Sequence, residues 1–161
     1  MNNLYSLTVD TNGHIYIVDR YNAAIRKVDS ATGEPAYSGD VGLGTLAQMR
    51  EPNDCFLDGN GGLLIADIQD HRIRRLNLDT EIMTTSAGDG EKRREGDGKP
   101  ATEASLMGPR AVCVDSKGNT YIAEREQRGP KGRCQRRDVH FCRHRRTWLW
   151  RRRRTGIGRP L

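Results

Sequence analysis

Six acidic residues stand out by their spacing. Asp10, Asp58 and Asp115 each precede a glycine by three residues, at Gly13, Gly61 and Gly118. Each is followed nine residues on by a second acid, Asp19, Asp67 or Glu124. Carboxylates repeated at a fixed interval invite a catalytic, acid–base reading. The intervening glycine argues for a simpler role. An aspartate three residues before a residue able to take positive φ accepts turn amides and closes a hairpin, so these segments are expected to form turns first. His14 and His71 also fall in turns, and neither has a serine, cysteine or carboxylate arrangement that would make a nucleophile and its base. Gly88-Asp89-Gly90 and Gly96-Asp97-Gly98 follow no strand-to-helix signal, so no phosphate-cradling loop is expected. These patterns assign no catalytic residue and no cofactor.

A different chemistry is available toward the C-terminus. Residues 127–161 hold thirteen basic side chains and one acid, whereas residues 1–126 hold 14 basic and 20 acidic, so the overall charge of +6 combines −6 with +12. Arg151, Arg152, Arg153 and Arg154 are the residues a nucleic-acid arm uses to neutralise phosphates, and Trp148 or Trp150 could stack on bases. Such binding would be non-specific. Cys134, His140, Cys142 and His144 are metal-ligating types, but their spacings are not those of a structural zinc module. The plainest reading of 127–161 is a disordered, solvated cationic tail. Cys55 and Cys113 sit in apolar runs and are expected to be buried as small hydrophobes.

The elements that must position the repeated acids are strands. Three segments align without gaps at Asp10–Asp19, Asp58–Asp67 and Asp115–Glu124, at offsets of 48 and 57 residues. Ile25–Asp29 matches Ile73–Asn77 at the same offset of 48. First strands are expected at Leu7–Val9, Phe56–Leu57 and Ala111–Val114, and second strands at Ile15–Val18, Leu63–Ala66 and Thr120–Ala123. Third strands are expected at Ala24–Val28 and Arg72–Leu76. A fourth is expected at Thr80–Ala87, with its counterpart between Asp29 and Asp40 deleted or badly shortened. Four antiparallel strands per unit of this length is the arithmetic of a propeller blade.

The segment Asp115-Ser-Lys-Gly-Asn-Thr-Tyr-Ile-Ala123 together with His71-Arg72-Ile73-Arg74-Arg75 resembles the NHL repeat core. The linker Gly96–Leu106 resembles the long loop of bacterial members. The resemblance covers residues 4–126 and implies an all-β partial β-propeller of about two and a half blades, with repeats at about 4–51, 52–108 and 109–126. On this reading 127–161 is a separate arginine-rich segment, and the chain is a truncated fragment. Residues 127–161 also invite a frameshift account. Read one base out of register, with permitted codons, 127–135 becomes Asn-Ala-Val-Arg-Arg-Val-Asp-Val-Ser, which restores a third strand. The later part restores a fourth strand and a glycine-rich linker like those at Ile82–Ala101. On that account the tail has no function of its own.

NHL-like propellers offer a ligand- or protein-binding platform, so the resemblance implies a non-catalytic scaffold whose partner is a protein or small ligand. The enzymatic alternative is a fragment of a gluconolactonase-like hydrolase, a six-bladed propeller with an axial divalent cation. Pro52-Asn53-Asp54 resembles the segment where that family supplies an asparagine ligand. One Asn is too little for a hard cation, and Arg110 stands where the next repeat would need a carboxylate. Asn53 is thus a weak metal candidate, expected rather to cap a turn. No signal peptide or transmembrane run is visible in this chain, no membrane partner is expected, and intact relatives are compatible with secretion or a periplasmic location. Bare blade edges are expected to self-associate.

Overall fold

Short runs of β-branched, aromatic and leucine residues, each closed by a turn built on Asp, Asn or Gly, give this chain strands throughout. The computed structural model describes residues 4–32, 35–36, 49–93, 95–96, 98–124, 139–143 and 147–150. Its strands are β1 Leu4–Val9, β2 Ile15–Asp19, β3 Ala24–Val28, β4 Pro35–Ala36, β5 Pro52–Leu57 and β6 Gly62–Asp67. They continue as β7 Arg72–Asn77, β8 Met83–Ala87, β9 Pro109–Val114, β10 Thr120–Glu124, β11 Val139–Arg143 and β12 Thr147–Trp150. Each consecutive set of four pairs in sequence order, giving three antiparallel four-stranded sheets. The fold is all-β, a partial β-propeller.

The first sheet carries the shortened outer strand read from the sequence. β4 spans two residues and pairs with β3 through Lys27↔Ala36 and Val28↔Pro35. The third sheet differs from the expected half blade. β11 pairs with β10, and β12 with β11, so this sheet too has four strands. The reason is local composition: Val139, Phe141, Thr147, Trp148 and Trp150 are strand formers interspersed among the arginines. The remaining residues of 127–161, including Arg151–Arg154, Cys134 and His144, lie outside the described residues.

The three sheets repeat one register. Leu7 faces Ile17 and Val9 faces Ile15 in the first, Cys55 faces Ile65 and Leu57 faces Leu63 in the second, and Val112 faces Ile122 in the third. They stack face to face with a core in each gap. Tyr16, Val18 and Ile25 of the first sheet meet Cys55, Leu63 and Ile65 of the second. On the other side Leu64, Ala66 and Ile73 meet Val112 and Ile122, and Ala101, Ala104 and Leu106 of the linker close that core. β6 is therefore buried at every residue. This explains its unbroken apolar run, since a strand covered on both faces has no polar side. Each large aliphatic side chain buried here contributes roughly 1.5–3 kcal/mol. β1 packs beside β5 and β5 beside β9, so the sheets converge on their first strands as blades on a hub.

Candidate functional site

The first acid of each repeat closes its hairpin in the same way. One oxygen of Asp10 accepts from the amides of Asn12 and His14, each at 2.9 Å. Asp58 does the same with Asn60 and Gly62, at 2.7 and 2.9 Å, and Asp115 with Lys117 and Asn119, at 2.9 and 2.8 Å. The glycines three residues on take the positive φ the turn needs, +83° at Gly13, +69° at Gly61 and +78° at Gly118. The second oxygen holds the sheet. Tyr16 donates to Asp10 at 3.2 Å, Tyr121 donates to Asp115 at 3.0 Å, and Arg75 binds Asp58 at 2.6 Å. Hydrogen bonds from Asn119, Tyr121 and the turn amides outweigh desolvation and hold Asp115 down at about 2. Burial pushes Asp58 up, but Arg75 and the turn amides more than offset it, leaving Asp58 below the usual carboxylate value. Carboxylates committed in this way are poorly suited to carrying protons near neutral pH.

The second acids are buried and hold neighbouring backbone or side chains. Asp67 accepts from the amides of Arg50 and Glu51, at 2.8 and 2.9 Å, where the chain enters the second sheet. Glu124 likewise accepts from the Met107 amide at the entrance to the third sheet, at 2.5 Å. Asp19 instead receives Arg26 at 2.6 Å and the Asn22 amide group. Burial raises the Asp67 carboxyl above its usual value despite the amides it accepts, whereas hydrogen bonds from Asn22 and Arg26 overcome burial and lower Asp19.

A different group of side chains links the first strands at the hub, and the sequence reading missed most of it. Arg20, in the 3-10 turn after β2, lies over the Tyr5 ring at 4.4 Å and pairs with Glu51. It also donates to Asn53 Oδ1 at 3.0 Å, while Asn53 Nδ2 donates to the Arg110 carbonyl at 2.7 Å. Asn53, expected to cap a turn, is instead a bridge between three sheets. The oxygen it would offer a cation already accepts from a guanidinium. Asp54 makes a second bridge, accepting from the Ser6 hydroxyl and from the Val112 amide, the latter at 3.0 Å. Its one legible signal is a carboxylate inside a strand, one residue before the buried Cys55. His71 makes a third bridge: held at φ +53°, its Nδ1 accepts from the Gly108 amide at 3.1 Å.

Of the described thiols, Cys55 and Cys113 offer no nucleophile. Burial pushes Cys55 up to about 12, and burial with the charge of Asp54 raises Cys113. Reactive cysteines have lowered values. Cys113, expected to be buried, is exposed, because it lies on the face of the third sheet turned away from the second. Among the described residues no group of three His, Cys, Asp or Glu side chains is placed to hold a metal ion, and no helix is long and apolar enough to cross a membrane.

No family model and no curated protein matches the sequence. Among solved structures the chain is similar to one in the nidogen/laminin complex, with TM-score 0.59 and 17% identity over 86% of this chain and 43% of that one. It is also similar to a structural genomics protein of unknown function from Bacteroides thetaiotaomicron VPI-5482. There the TM-score is 0.60 at 15% identity, covering 86% of this chain and 32% of that one. The chain thus spans less than half the length of either. At these identities the likeness concerns the fold, and the fold it shows is propeller-like.

Proposed function

We propose that this chain is a portion of an NHL-like propeller that binds a protein segment at its hub and catalyses nothing. The observation that carries this reading is the contact chain from Tyr5 through Arg20 and Asn53 to Arg110. It gathers an aromatic ring 48% exposed and an exposed arginine at one end of three converging strands. Tyr21, 66% exposed, sits beside Arg20 in the same turn. Tyrosine and arginine are the side chains that most often anchor protein recognition, because they cover large areas and carry a polar tip. The gluconolactonase-like alternative is disfavoured by the Arg20 donor on Asn53 and by Arg110 in place of a carboxylate.

An array of extended peptides, probed with the full chain, tests the reading. Binding to a subset of peptides is expected, weakened roughly tenfold or more by Tyr5→Ala and by Arg110→Glu, with the circular dichroism unchanged. Turnover of a lactone that requires added calcium would replace this reading with the hydrolase. Salt-sensitive binding to single-stranded DNA, abolished by deleting Arg151–Arg154, with no peptide binding, would move the function to the basic segment.

A further inference from the structure

Two asparagines of the chain stand before a glycine, Asn12 before Gly13 and Asn60 before Gly61. They hold the same place in the hairpin turns that open the first and second repeats, a place taken in the third by Lys117. Both asparagines and both glycines are exposed. A glycine after an asparagine lets the main-chain nitrogen swing onto the preceding side chain, because no Cβ stands in the way. In sequence the two sites are equivalent, and in the folded chain they are not.

In the first repeat the Gly13 amide donates to the Asp10 carbonyl at 3.0 Å, and in the third the Gly118 amide donates to the Asp115 carbonyl at 2.9 Å. The second turn takes another path, with Gly59 as well as Gly61 at positive φ, +73° and +69°. There the Asp58 carbonyl accepts from the Asn60 side-chain amide instead, at 3.4 Å. The Gly61 N–H has no hydrogen-bond partner among the described residues. Arg75 adds a second difference. Its Nη2 donates to the Asn60 carbonyl oxygen at 3.1 Å, and that carbonyl and the Gly61 nitrogen belong to one peptide group. A cation on the oxygen draws electron density from the nitrogen through amide resonance and eases the loss of its proton. Lys27, the counterpart of Arg75 in the first repeat, lies over the Tyr16 ring instead.

We infer that Asn60 is a site of spontaneous deamidation, directed there by the free Gly61 amide and by Arg75 on its peptide group. The Gly61 nitrogen gives its proton to water and attacks Cγ of Asn60. A Cγ–N bond forms, the Cγ–Nδ2 bond breaks, and Nδ2 takes a proton from water and leaves as ammonia. The product is a cyclic imide, which water then opens. Cleavage of the new bond to Cγ leaves an aspartate, and cleavage at the main-chain carbonyl leaves an isoaspartate whose backbone runs through Cγ. No oxidant, cofactor or enzyme takes part. Either product places a new carboxylate beside Asp58 and close to Asp79, whose Oδ2 lies 3.4 Å from where a Cβ on Gly61 would stand. The isoaspartate also lengthens the main chain between bonds that shape the turn. These are Gly62 N–H to the Asp58 carboxylate and Leu78 N–H to the Gly61 carbonyl, each at 2.9 Å. This modification is independent of what the hub binds.

Peptide mapping by mass spectrometry, on the full chain held folded in mildly alkaline buffer and sampled over time, tests it. Asn60 is expected to exchange its amide for a hydroxyl roughly fivefold faster than Asn12, a factor set by the one hydrogen bond that must first break at Gly13. In concentrated urea both turns are lost and the two rates should converge. Arg75→Gln is expected to slow Asn60 in the folded chain and leave Asn12 unchanged. Asn12 is also the monitor of folding in that variant, because loss of the fold brings both sites to the urea rate, and the wild-type comparison then decides alone. Equal rates at Asn60 and Asn12 in the folded chain would overturn the inference. So would an equal preference for Asn60 in urea, or an Asn60 that is not slowed in folded Arg75→Gln.

Discussion

The acids that open each repeat work by accepting backbone amides. At Asp58 the same carboxylate also fixes Arg75 on the neighbouring strand, so two kinds of bond are lost on truncation. Asp58→Ala is expected to cost about 1–3 kcal/mol in urea unfolding, because it also strands partners that lie partly out of water. Asp58→Asn keeps a turn acceptor and should cost less, so an Asn variant as damaging as Ala would refute the turn role. His71 makes a pH-dependent bond, since its Nδ1 can accept from Gly108 only while unprotonated. Burial, aided by the positive charge of Lys92, lowers its pKa below the usual 6.5. The unfolded chain therefore takes up the proton first. The contribution is complete above about 6.5 and is lost as pH falls from there toward the folded value. Thermal melts between pH 7.5 and pH 5 should show this loss, and His71→Ala should flatten it over that interval. An equal pH dependence in the variant would assign the effect elsewhere.

At the scale of strands and turns, conformation and space decide. Gly88 ends β8 at φ +95°, and an added Cβ would collide with the His71 carbonyl and crowd the Arg72 backbone. Gly59, at φ +73°, has open space around it. Gly59→Ala should cost roughly 1–2 kcal/mol for the left-handed backbone alone. Gly88→Ala should cost clearly more, and equal costs would show that the junction yields. Amide exchange should be slowest in β6, which has a core on each face, and faster in β1, whose outer side chains meet water. The strands themselves were legible wherever apolar residues alternate or run together; β3 spans Ala24–Val28 as read. β5 begins at Pro52 rather than Phe56, because proline is tolerated as a strand's first residue and its polar Asn53 and Asp54 point to neighbouring first strands. The turn role of Asp10, Asp58 and Asp115 was legible because the amides each accepts lie two and four residues on. Arg20, Asp54 and His71 were not, since their partners lie 33, 58 and 37 residues away and only stacking brings them together.

At the scale of the whole chain, stability is a chain of neighbours more than a single centre. The second sheet is held on both faces, the third through one of its cores. Ile65→Ala should cost about 2–5 kcal/mol, the usual penalty for a large-to-small change in a packed core. Both tryptophans, Trp148 and Trp150, lie in β12, so their fluorescence reports the third sheet. Its urea transition is expected to precede the loss of overall β circular dichroism, and coincident curves would show a single cooperative unit instead. One feature also bears on how the protein is made. Asp67 fastens the amide of Arg50 and Glu124 that of Met107, in both cases across 17 residues of chain. On a ribosome the linker into each sheet therefore emerges well before the side chain that fastens it. A growing chain adds its sheets in discrete steps, each junction closing only when that sheet's own second strand has been synthesised, and a pause inside that interval leaves the newest linker unfastened.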